Sequence, residues 1–293
     1  MTIKKTITIG ANTTHPLTVN RLGYGTMQLP GEHVWGEPTN RTEALQILRT
    51  ASESGINFLD TADYYGEDVT NRLIAEALYP YAEDLVICTK VGAKRGKDKS
   101  WQVYDRPENL RTSIENNLRT LKKDRIQLVH FRVMPGTDTP FEESVHAMFE
   151  MQKEGKILHV GLSNVNAEEL NTVLGMGDVA SVENAFGYAQ RTSFNLYGQE
   201  VRGLQEVMDI CVKHSIPMIP FFSLQSSLSE SRNKISVIAA KYKTTPAQIN
   251  LAWLLHVNPL ILPIPGTSKL KHFKENSQAL HLELSAGDME FLG

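Results

Sequence analysis

Four side chains that can bind or transfer a proton lie close to the ends of three apolar, strand-like runs in this chain. Asp60 and Tyr65 follow the first run. Lys90 follows the second run and His130 ends the third. The carboxyl ends of parallel strands are where a closed α/β barrel collects its catalytic groups. An acid, a phenol, an ammonium and an imidazole brought together there could donate a proton to a carbonyl oxygen.

The chemistry of carbonyl reduction gives each side chain a role. Reduction places a hydride on carbon and a proton on oxygen, and an ordinary phenol, with a pKa of about 10, donates slowly near neutral pH. A hydrogen bond from Lys90 would lower the pKa of Tyr65, and a buried Asp60 would keep Lys90 charged. His130 could donate a hydrogen bond to the carbonyl oxygen as negative charge develops there. Because none of the four can supply the hydride, they indicate a nicotinamide cofactor.

Each of these residues also has a purely structural interpretation. A lone histidine after an apolar strand is more often a core residue than a catalyst. Tyr64 could be the buried ring in place of Tyr65, and Asp63 could cap the following turn. Compatible side chains at successive strand ends favour the catalytic interpretation.

The composition is that of a globular protein with a substantial core. Of the 293 residues 41% are hydrophobic and 22% charged, and the net charge of −3 offers no broad cationic surface to nucleic acid. Cys88 and Cys211 have neither CxxC nor metal-ligand spacing, so we expect a reducing compartment and no bound metal. The start has no leader-like apolar segment and no apolar run could span a bilayer, which predicts a cytoplasmic protein without a membrane partner.

Strand and helix signals alternate along the chain. After a hairpin predicted over 6–19, strand-like runs recur at 22–25, 56–59, 85–89, 126–130, 157–162, 179–183, 217–221 and 260–264. Between them lie amphipathic segments, including one whose shared face is formed by Leu204, Val207, Met208 and Cys211. The residues Thr245 to Gln248 have the capping-box pattern of a helix start. Eight such units without a low-complexity break predict a single α/β domain over 1–293, a (β/α)8 TIM barrel.

The main alternative is an open, doubly wound sheet, which also alternates strands with helices and binds nicotinamide nucleotides. Its glycine-rich loop is incomplete here, because Gly23 and Gly25 form a GxG pattern without the third glycine. The barrel is therefore favoured.

A second candidate site is the segment 264–269, Ile-Pro-Gly-Thr-Ser-Lys, which follows the last predicted strand. Backbone N–H groups at the start of the next helix, the hydroxyls of Thr267 and Ser268, and the nearby Lys269 and Lys271 would suit an anion. Barrels often bind phosphate near their last strands. In isolation, the segment is more typical of an ordinary turn with solvated lysines.

Together these motifs resemble the aldo-keto reductase family along almost the whole chain. The matching segments are LGYGTM at 22–27, DTADYYG at 60–66, TK at 89–90, His130, GLSN at 161–164, and IPGTS at 264–268 with Glu275 and Asn276. The resemblance is nearest to a bacterial branch that includes pyridoxal-reductase-like members. It implies an NADPH-dependent (β/α)8 barrel whose N-terminal hairpin covers the barrel bottom. It also implies that Tyr65 is the acid/base, with Asp60, Lys90 and His130 as its partners.

The resemblance further implies the contacts of the cofactor. Ser163 and Asn164 would hold the nicotinamide carboxamide, and Thr267 and Ser268 the adenosine 2′-phosphate. The predicted cofactor-binding set is Gly25, Thr26, Met27, Ser163, Asn164, Glu183, Phe222, Ser223, Pro265, Gly266, Thr267, Ser268, His272, Glu275 and Asn276.

Three of these positions depart from the family pattern. Glu183 stands where a glutamine usually contacts the carboxamide, and an ionised carboxylate can accept a hydrogen bond but cannot donate one. Phe222 replaces a stacking tyrosine, and His272 replaces an arginine that commonly grips the 2′-phosphate. These changes bear on cofactor affinity and on the preference for NADPH.

Loop aromatics and one cation provide a candidate substrate pocket, namely Trp35, Trp101, Phe131 and Arg132. Such a pocket would suit a planar or anionic small-molecule carbonyl, although scattered aromatics pack locally at least as often. The sequence therefore predicts an NADPH-dependent reductase of aldehydes and ketones. The alternative from another class is a nicotinamide-nucleotide-binding regulatory or auxiliary subunit with little turnover.

Overall fold

A curled parallel sheet surrounded by helices forms the framework of the molecule. The computed structural model describes residues 3–196, 199–224 and 229–293. In these ranges the strands are β1 (Thr6–Ile9), β2 (Leu17–Asn20), β3 (Tyr24–Gly25), β4 (Phe58–Asp60), β5 (Val86–Arg95), β6 (Trp101–Tyr104), β7 (Ile126–Arg132), β8 (Ile157–Ser163), β9 (Val182–Glu183), β10 (Ser193–Leu196) and β11 (Gln199–Arg202). The α-helices are α1 (Arg41–Glu53), α2 (Val69–Leu78), α3 (Pro107–Thr120), α4 (Phe141–Lys153), α5 (Ala167–Leu174), α6 (Leu204–Lys213), α7 (Ser229–Lys241), α8 (Pro246–Val257), α9 (Leu270–Ser277) and α10 (Ala286–Leu292). Short 3-10 helices cover Glu32–Val34 and Gln278–His281.

The sheet closes on itself. Strands β3, β4, β5, β7, β8 and β9 are neighbours in that order, and each pair is parallel. Met218 continues the order with single bridges to β9 and to Ile261, and Gly266 bridges Gly25 of β3. The eighth strand position therefore returns to the first, and the predicted (β/α)8 barrel is confirmed.

The seventh and eighth predicted strands are reduced to these isolated bridges. Their predicted runs contain Pro217 and Pro220, and Pro263, with Pro265 just after the last run. Proline has no backbone N–H to donate to a ladder, so regular pairing cannot extend through these segments. The predicted positions are right, but the predicted continuous strands are not formed.

The N-terminal hairpin of β1 and β2 packs on the barrel. The two strands pair antiparallel, and Ile7, Ile9 and Val19 share an apolar cluster with Phe58 and Val86. Phe58 and Val86 are the first residues of β4 and β5, so the hairpin covers the amino ends of the strands. The carboxyl ends are left open for a site.

Strand β5 continues past the barrel rim. It was predicted to end near residue 89, but it extends to Arg95 and pairs antiparallel with β6, where Arg95 lies opposite Trp101. The sequence did not indicate this hairpin as a regular element. It stands at the carboxyl end of the barrel and carries Trp101 towards the site.

The helix signals in the sequence are confirmed. Thr245 and Gln248 form the reciprocal capping box of α8. The four residues predicted to share a face of α6 are all buried. Among the described residues, no helix combines the length and the apolar character needed to cross a membrane.

Candidate active site

Strand register brings the predicted residues to one end of the barrel interior. Lys90 of β5 lies opposite His130 of β7, and Asp60 ends β4 on the other side of β5. Tyr65 lies in the loop that follows β4. All four side chains are buried. Alternate residues of a strand face opposite sides of the sheet. The residues near the strand ends whose side chains point into the barrel therefore meet here.

The ammonium of Lys90 is the centre of the site. Its Nζ lies 2.6 Å from each carboxylate oxygen of Asp60 and 3.1 Å from the carbonyl oxygen of Thr61. The Oε1 atom of Glu183 lies 3.4 Å from the same nitrogen. Burial opposes the charge of Lys90, but the two carboxylates outweigh it and hold its pKa well above the usual value. One ammonium is therefore shared by two buried carboxylates.

The ring of Tyr65 lies beside this ammonium, with Lys90 Nζ 5.0 Å from the ring centroid. The predicted hydrogen bond from Lys90 to the phenol oxygen is not formed, because within the described residues Lys90 donates to Asp60 and Thr61. Burial raises the pKa of Tyr65 to about 12, and the opposing charge of Lys90 does not reverse this. The charge of Lys90 does lower the pKa of Tyr65, as predicted, but it acts without a hydrogen bond and burial outweighs it. The phenol is protonated at neutral pH.

His130 is fully buried and lies beside Glu183. Its Nε2 is 2.8 Å from the hydroxyl oxygen of Ser181, and its Nδ1 is 2.8 Å from Oε2 of Glu183. A Cβ atom on Gly161 would lie 2.2 Å from the imidazole, so the ring packs against bare backbone. Because both nitrogens contact protein, donation to a substrate carbonyl would require one of them to leave its partner. That role stays a prediction.

Glu183 has a larger part in the site than the sequence indicated. It was predicted to contact the nicotinamide carboxamide, but its carboxylate also joins His130 to Lys90. The sequence contained a signal for this, because Glu183 ends its strand as Asp60 ends β4. A carboxylate at the carboxyl end of a barrel strand is a catalytic candidate by position.

The two carboxylates compete for the same proton and the same cation. Burial, followed by the charge of Glu183, raises the pKa of Asp60 to about 8. Burial also opposes ionisation of Glu183, but Lys90 and His130 outweigh it and lower the pKa of Glu183 to about 2. The pair therefore holds one proton more readily than an isolated carboxyl group does.

A thiol completes the buried cluster. Cys88 Sγ lies 3.3 Å from His130 Nδ1, and the ligand-type atoms of Asp60, Cys88, His130 and Glu183 lie within 4.8 Å of one another. Burial raises the pKa of the Cys88 thiol, which disfavours the thiolate that a metal ion needs. The ammonium of Lys90 already provides the cation at this position.

One cavity of about 360 Å³ connects Asp60, Tyr65 and Glu183 with the predicted phosphate turn. Its walls are formed by Gly25, Met27, Gln28, Asp60, Tyr65, Glu183, Phe221, Phe222, Ser223, Leu224, Ile264, Pro265, Gly266, Thr267, Ser268, Lys269 and His272. Most of the predicted cofactor-binding residues are therefore brought together. The exceptions are Thr26, Ser163, Asn164, Glu275 and Asn276, which do not line it.

Three of these five residues lie next to Asp60 or Glu183 although they do not line the cavity. The hydroxyl of Thr26 donates to the carbonyl oxygen of Asp60 at 2.7 Å. Asn164 has a left-handed backbone (φ 61°), and its N–H donates to the carbonyl oxygen of Glu183 at 3.2 Å. Ser163 lies opposite Glu183 on β8, and its hydroxyl is buried without a hydrogen-bond partner in the described part of the chain.

The basic side chains of the phosphate turn are already in ion pairs. Lys269 Nζ lies 3.6 Å from Oε2 of Glu43, and Lys271 Nζ lies 3.8 Å from Oε1 of Glu275. An anion at this turn would therefore meet two lysines whose charges are partly compensated.

The predicted substrate residues form an aromatic and cationic wall, with one exception. Tyr64 packs edge-on against both Tyr65 and Trp101, at centroid distances of 5.4 and 5.6 Å. The guanidinium of Arg95 lies 4.3 Å from the Trp101 centroid, and that of Arg132 lies 5.7 Å from it. Arg95 also lies 5.6 Å from the centroid of Trp35. This wall begins at the candidate proton donor.

Phe131 is the exception, and the prediction for it was wrong. It is buried in the main apolar core and stacks on Phe141 of α4 with a centroid distance of 6.0 Å. Because β7 places His130 and Arg132 on the site side, the residue between them faces the helices.

Comparison with known proteins agrees with the geometry. The model of the aldo/keto reductase family matches residues 21–292. The chain is 40% identical to pyridoxine 4-dehydrogenase of Escherichia coli (strain K12) over 92% of both chains. It is 34% identical to an uncharacterised oxidoreductase of Schizosaccharomyces pombe, over 92% of this chain and 84% of the relative.

Solved structures show the same fold. A thermostable aldo-keto reductase in complex with the inhibitor epalrestat aligns with a TM-score of 0.81 and 26% identity, over 100% of this chain and 98% of the other. An aldo-keto reductase from Klebsiella pneumoniae in complex with NADPH aligns with a TM-score of 0.77 and 24% identity, over 99% of this chain and 94% of the other. With the family match over almost the whole length, the chain belongs to the aldo/keto reductase family and is an NAD(P)H-dependent oxidoreductase.

Proposed function

We propose that this protein reduces aldehydes and ketones to alcohols, with NADPH as the hydride source and Tyr65 as the proton donor. The observation that carries the proposal is the shared cavity. Asp60, Tyr65 and Glu183 line it together with the turn 265–269 and Phe222. A dinucleotide could therefore reach from the proton donor to the phosphate turn within one continuous space.

The residues present fit a nicotinamide group. The buried hydroxyl of Ser163 lacks a partner among the described residues, and a buried hydroxyl normally has one. A carboxamide is a suitable partner, and Glu183 could accept from its NH₂ group. Phe222 could stack on the ring from the cavity wall. When bound, NADPH supplies the hydride.

The chain supplies the proton and stabilises the charge that is left behind. Tyr65 is protonated at neutral pH, since its pKa, which burial raises to about 12, lies far above that pH. Proton transfer to the substrate oxygen leaves a phenolate, which Lys90 attracts from its position over the ring. Asp60 and Glu183 hold Lys90 in its charged form. The tetrad thus acts as a proton donor whose product anion is stabilised by a buried cation.

The wall next to Tyr65 indicates the class of substrate. Trp101 and Tyr64 offer aromatic surface, while Arg95 and Arg132 add positive charge close to it. The similarity to pyridoxine 4-dehydrogenase supports a planar heteroaromatic substrate. We propose aromatic aldehydes, with pyridoxal first among them, together with the corresponding alcohols in the reverse direction.

The decisive experiment is turnover with a panel of carbonyl compounds. Pyridoxal, benzaldehyde and a short aliphatic aldehyde are each tested with NADPH and with NADH, and cofactor oxidation is followed by absorbance. Faster turnover of pyridoxal with NADPH would support the proposal. Tight binding of nucleotide with negligible turnover across the panel would contradict it and would favour an auxiliary nucleotide-binding subunit.

The setting that we infer for this activity is the cytoplasm, with a small-molecule carbonyl as the partner. Cys88 and Cys211 are both buried free thiols, which is consistent with a reducing compartment. Fractionation of cells that express a tagged full chain would test the location.

A further inference from the structure

Glu183 presents a carboxylate to the part of the cavity where the nicotinamide ring would lie. Its side chain is 2% exposed, and it lines the cavity together with Tyr65 and Asp60. Its backbone lies opposite Ser163 of β8, and its carbonyl oxygen accepts a hydrogen bond from the N–H of Asn164. The carboxylate is therefore a built part of the site and not a surface group.

The charge around Glu183 is not fully balanced by direct contacts. Within 3.5 Å, two carboxylates, Asp60 and Glu183, share the single ammonium of Lys90. His130 contacts Glu183 at 2.8 Å, but it adds a positive charge only when it is protonated. Arg132 attracts Glu183 less strongly than Lys90 and His130 do. With both carboxyl groups ionised and His130 neutral, the directly contacting cluster carries one excess negative charge.

We propose that Glu183 makes the site favour the oxidised cofactor, because the nicotinamide ring is cationic in NADP⁺ and neutral in NADPH. This inference rests on the proposed function and extends it to the balance between the two directions of the reaction. A buried carboxylate attracts the cationic ring more strongly than an exposed one would, since solvent screens it little. The neutral ring gains nothing from the charge. Glu183 is thus a residue that sets the redox preference of binding.

The same charge can be compensated by a proton in place of the cationic ring. The groups that face Glu183 are Asp60 of β4, Tyr64 and Tyr65 in the loop after it, Cys88 and Lys90 of β5, and His130 and Arg132 of β7. Protonation of the cluster at low pH removes the excess charge and with it the preference. The raised pKa of Asp60, about 8, places this exchange near neutral pH. By linkage, NADP⁺ should displace more protons from the protein than NADPH does.

The test compares dissociation constants of both cofactors for the wild type and for Glu183→Gln. The two cofactors share the carboxamide, the phosphates and the adenosine, so the ratio of their constants isolates the charge of the ring. The ratio Kd(NADP⁺)/Kd(NADPH), measured by protein fluorescence quenching, should rise about tenfold in Glu183→Gln. Glu43→Gln, near the phosphate turn, is the matched control and should change both constants by the same factor.

A second measurement needs no variant. In the wild type, Kd(NADP⁺)/Kd(NADPH) should fall as the pH rises from about 6 to 9, and proton uptake or release on binding should differ between the two forms. An equal ratio in wild type and Glu183→Gln, or a ratio independent of pH in the wild type, would overturn the inference while leaving the reductase proposal intact. Failure of the wild type to bind either nucleotide would overturn the proposed function itself.

Discussion

The carboxylate of Glu43 lies at the N-terminus of helix α9, where its Oε1 accepts a hydrogen bond of 3.0 Å from the backbone N–H of Leu270. Its other oxygen pairs with Lys269. An unpaired N–H at a helix start favours an anion, and the family resemblance predicts the 2′-phosphate next to this position. A protein carboxylate 227 residues away already meets that N–H. We therefore expect cofactor choice to depend on Glu43 as well as on the turn.

Replacement of Glu43 should strengthen the preference for NADPH. The 2′-phosphate must approach the helix start against the charge of Glu43, whereas NADH does not bring that phosphate. In Glu43→Gln we expect Kd for NADPH to fall about fivefold, with little change for NADH. Titration of both cofactors measures this. Glu150→Gln removes another ion-paired acid, on the exposed face of α4, and should change neither constant.

The preference for NADPH over NADH should weaken with salt. The ammonium of Lys269 is exposed, with 60% of its side chain accessible, so ions screen it more readily than they screen the buried pair of Lys90 and Asp60. We expect Kd for NADPH to rise several-fold between about 0.05 and 0.5 M salt, while Kd for NADH changes less. Equal affinities at low salt would show that this turn does not distinguish the phosphate.

Tyr65→Phe should remove the proton donor and leave binding intact. We expect kcat/KM for aldehydes to fall by about 10² or more, with Kd for NADPH within about twofold of the wild type. Tyr64→Phe is the matched control, since the two rings are adjacent and both are buried. The Tyr64 hydroxyl has no partner among the described residues, so its loss should be mild. Near-normal turnover in Tyr65→Phe would assign the donor to another group.

Lys90→Met should destabilise the barrel as well as inactivate it. The substitution leaves Asp60 and Glu183 buried without their ammonium, for an expected loss of about 3 to 5 kcal/mol in the free energy of unfolding. Burial would raise the folded-state pKa of both carboxyl groups. Such groups stabilise the fold below their unfolded pKa, and this stability is lost as the pH rises through the folded pKa.

Urea unfolding of Lys90→Met should therefore show a larger deficit at about pH 8 than at about pH 5. Lys94→Met, which changes an exposed lysine on the same strand β5, should keep wild-type stability at both pH values. Restoration of stability in Lys90→Met by the additional changes Asp60→Asn and Glu183→Gln would support uncompensated charge as the cause. A deficit that is independent of pH would point to lost packing.

Trp101→Leu tests the aromatic wall. If Trp101 contacts a planar substrate, KM for pyridoxal should rise about tenfold, while KM for a short aliphatic aldehyde changes little. Tyr79→Leu, which changes an exposed tyrosine that does not line the cavity, serves as the control. Equal effects of Trp101→Leu on both substrates would indicate a structural contribution of the hairpin β5–β6.

Local patterns in the sequence determined most of the framework. Apolar, strand-like runs predicted the strand positions, and the pattern from Thr245 to Gln248 predicted the start of α8, because both signals depend on neighbouring residues alone. Alternation also places Phe131 on the opposite side of β7 from His130, so its burial in the core could have been predicted. The prolines in the last two strand-like runs could likewise have predicted that regular strand pairing would be interrupted there.

The pairing of charges was decided only by the tertiary structure. Strand ends indicate which residues share the barrel mouth, and the sequence therefore brought Asp60, Tyr65, Lys90 and His130 together. The atoms that meet depend on strand register and side-chain rotamers across the barrel, which local patterns do not encode. Closure of the sheet placed Glu183 against both Lys90 and His130, and the packing of α1 beside α9 placed Glu43 at the N–H of Leu270. In a buried site such contacts determine the protonation states, because solvent no longer screens one charge from the next.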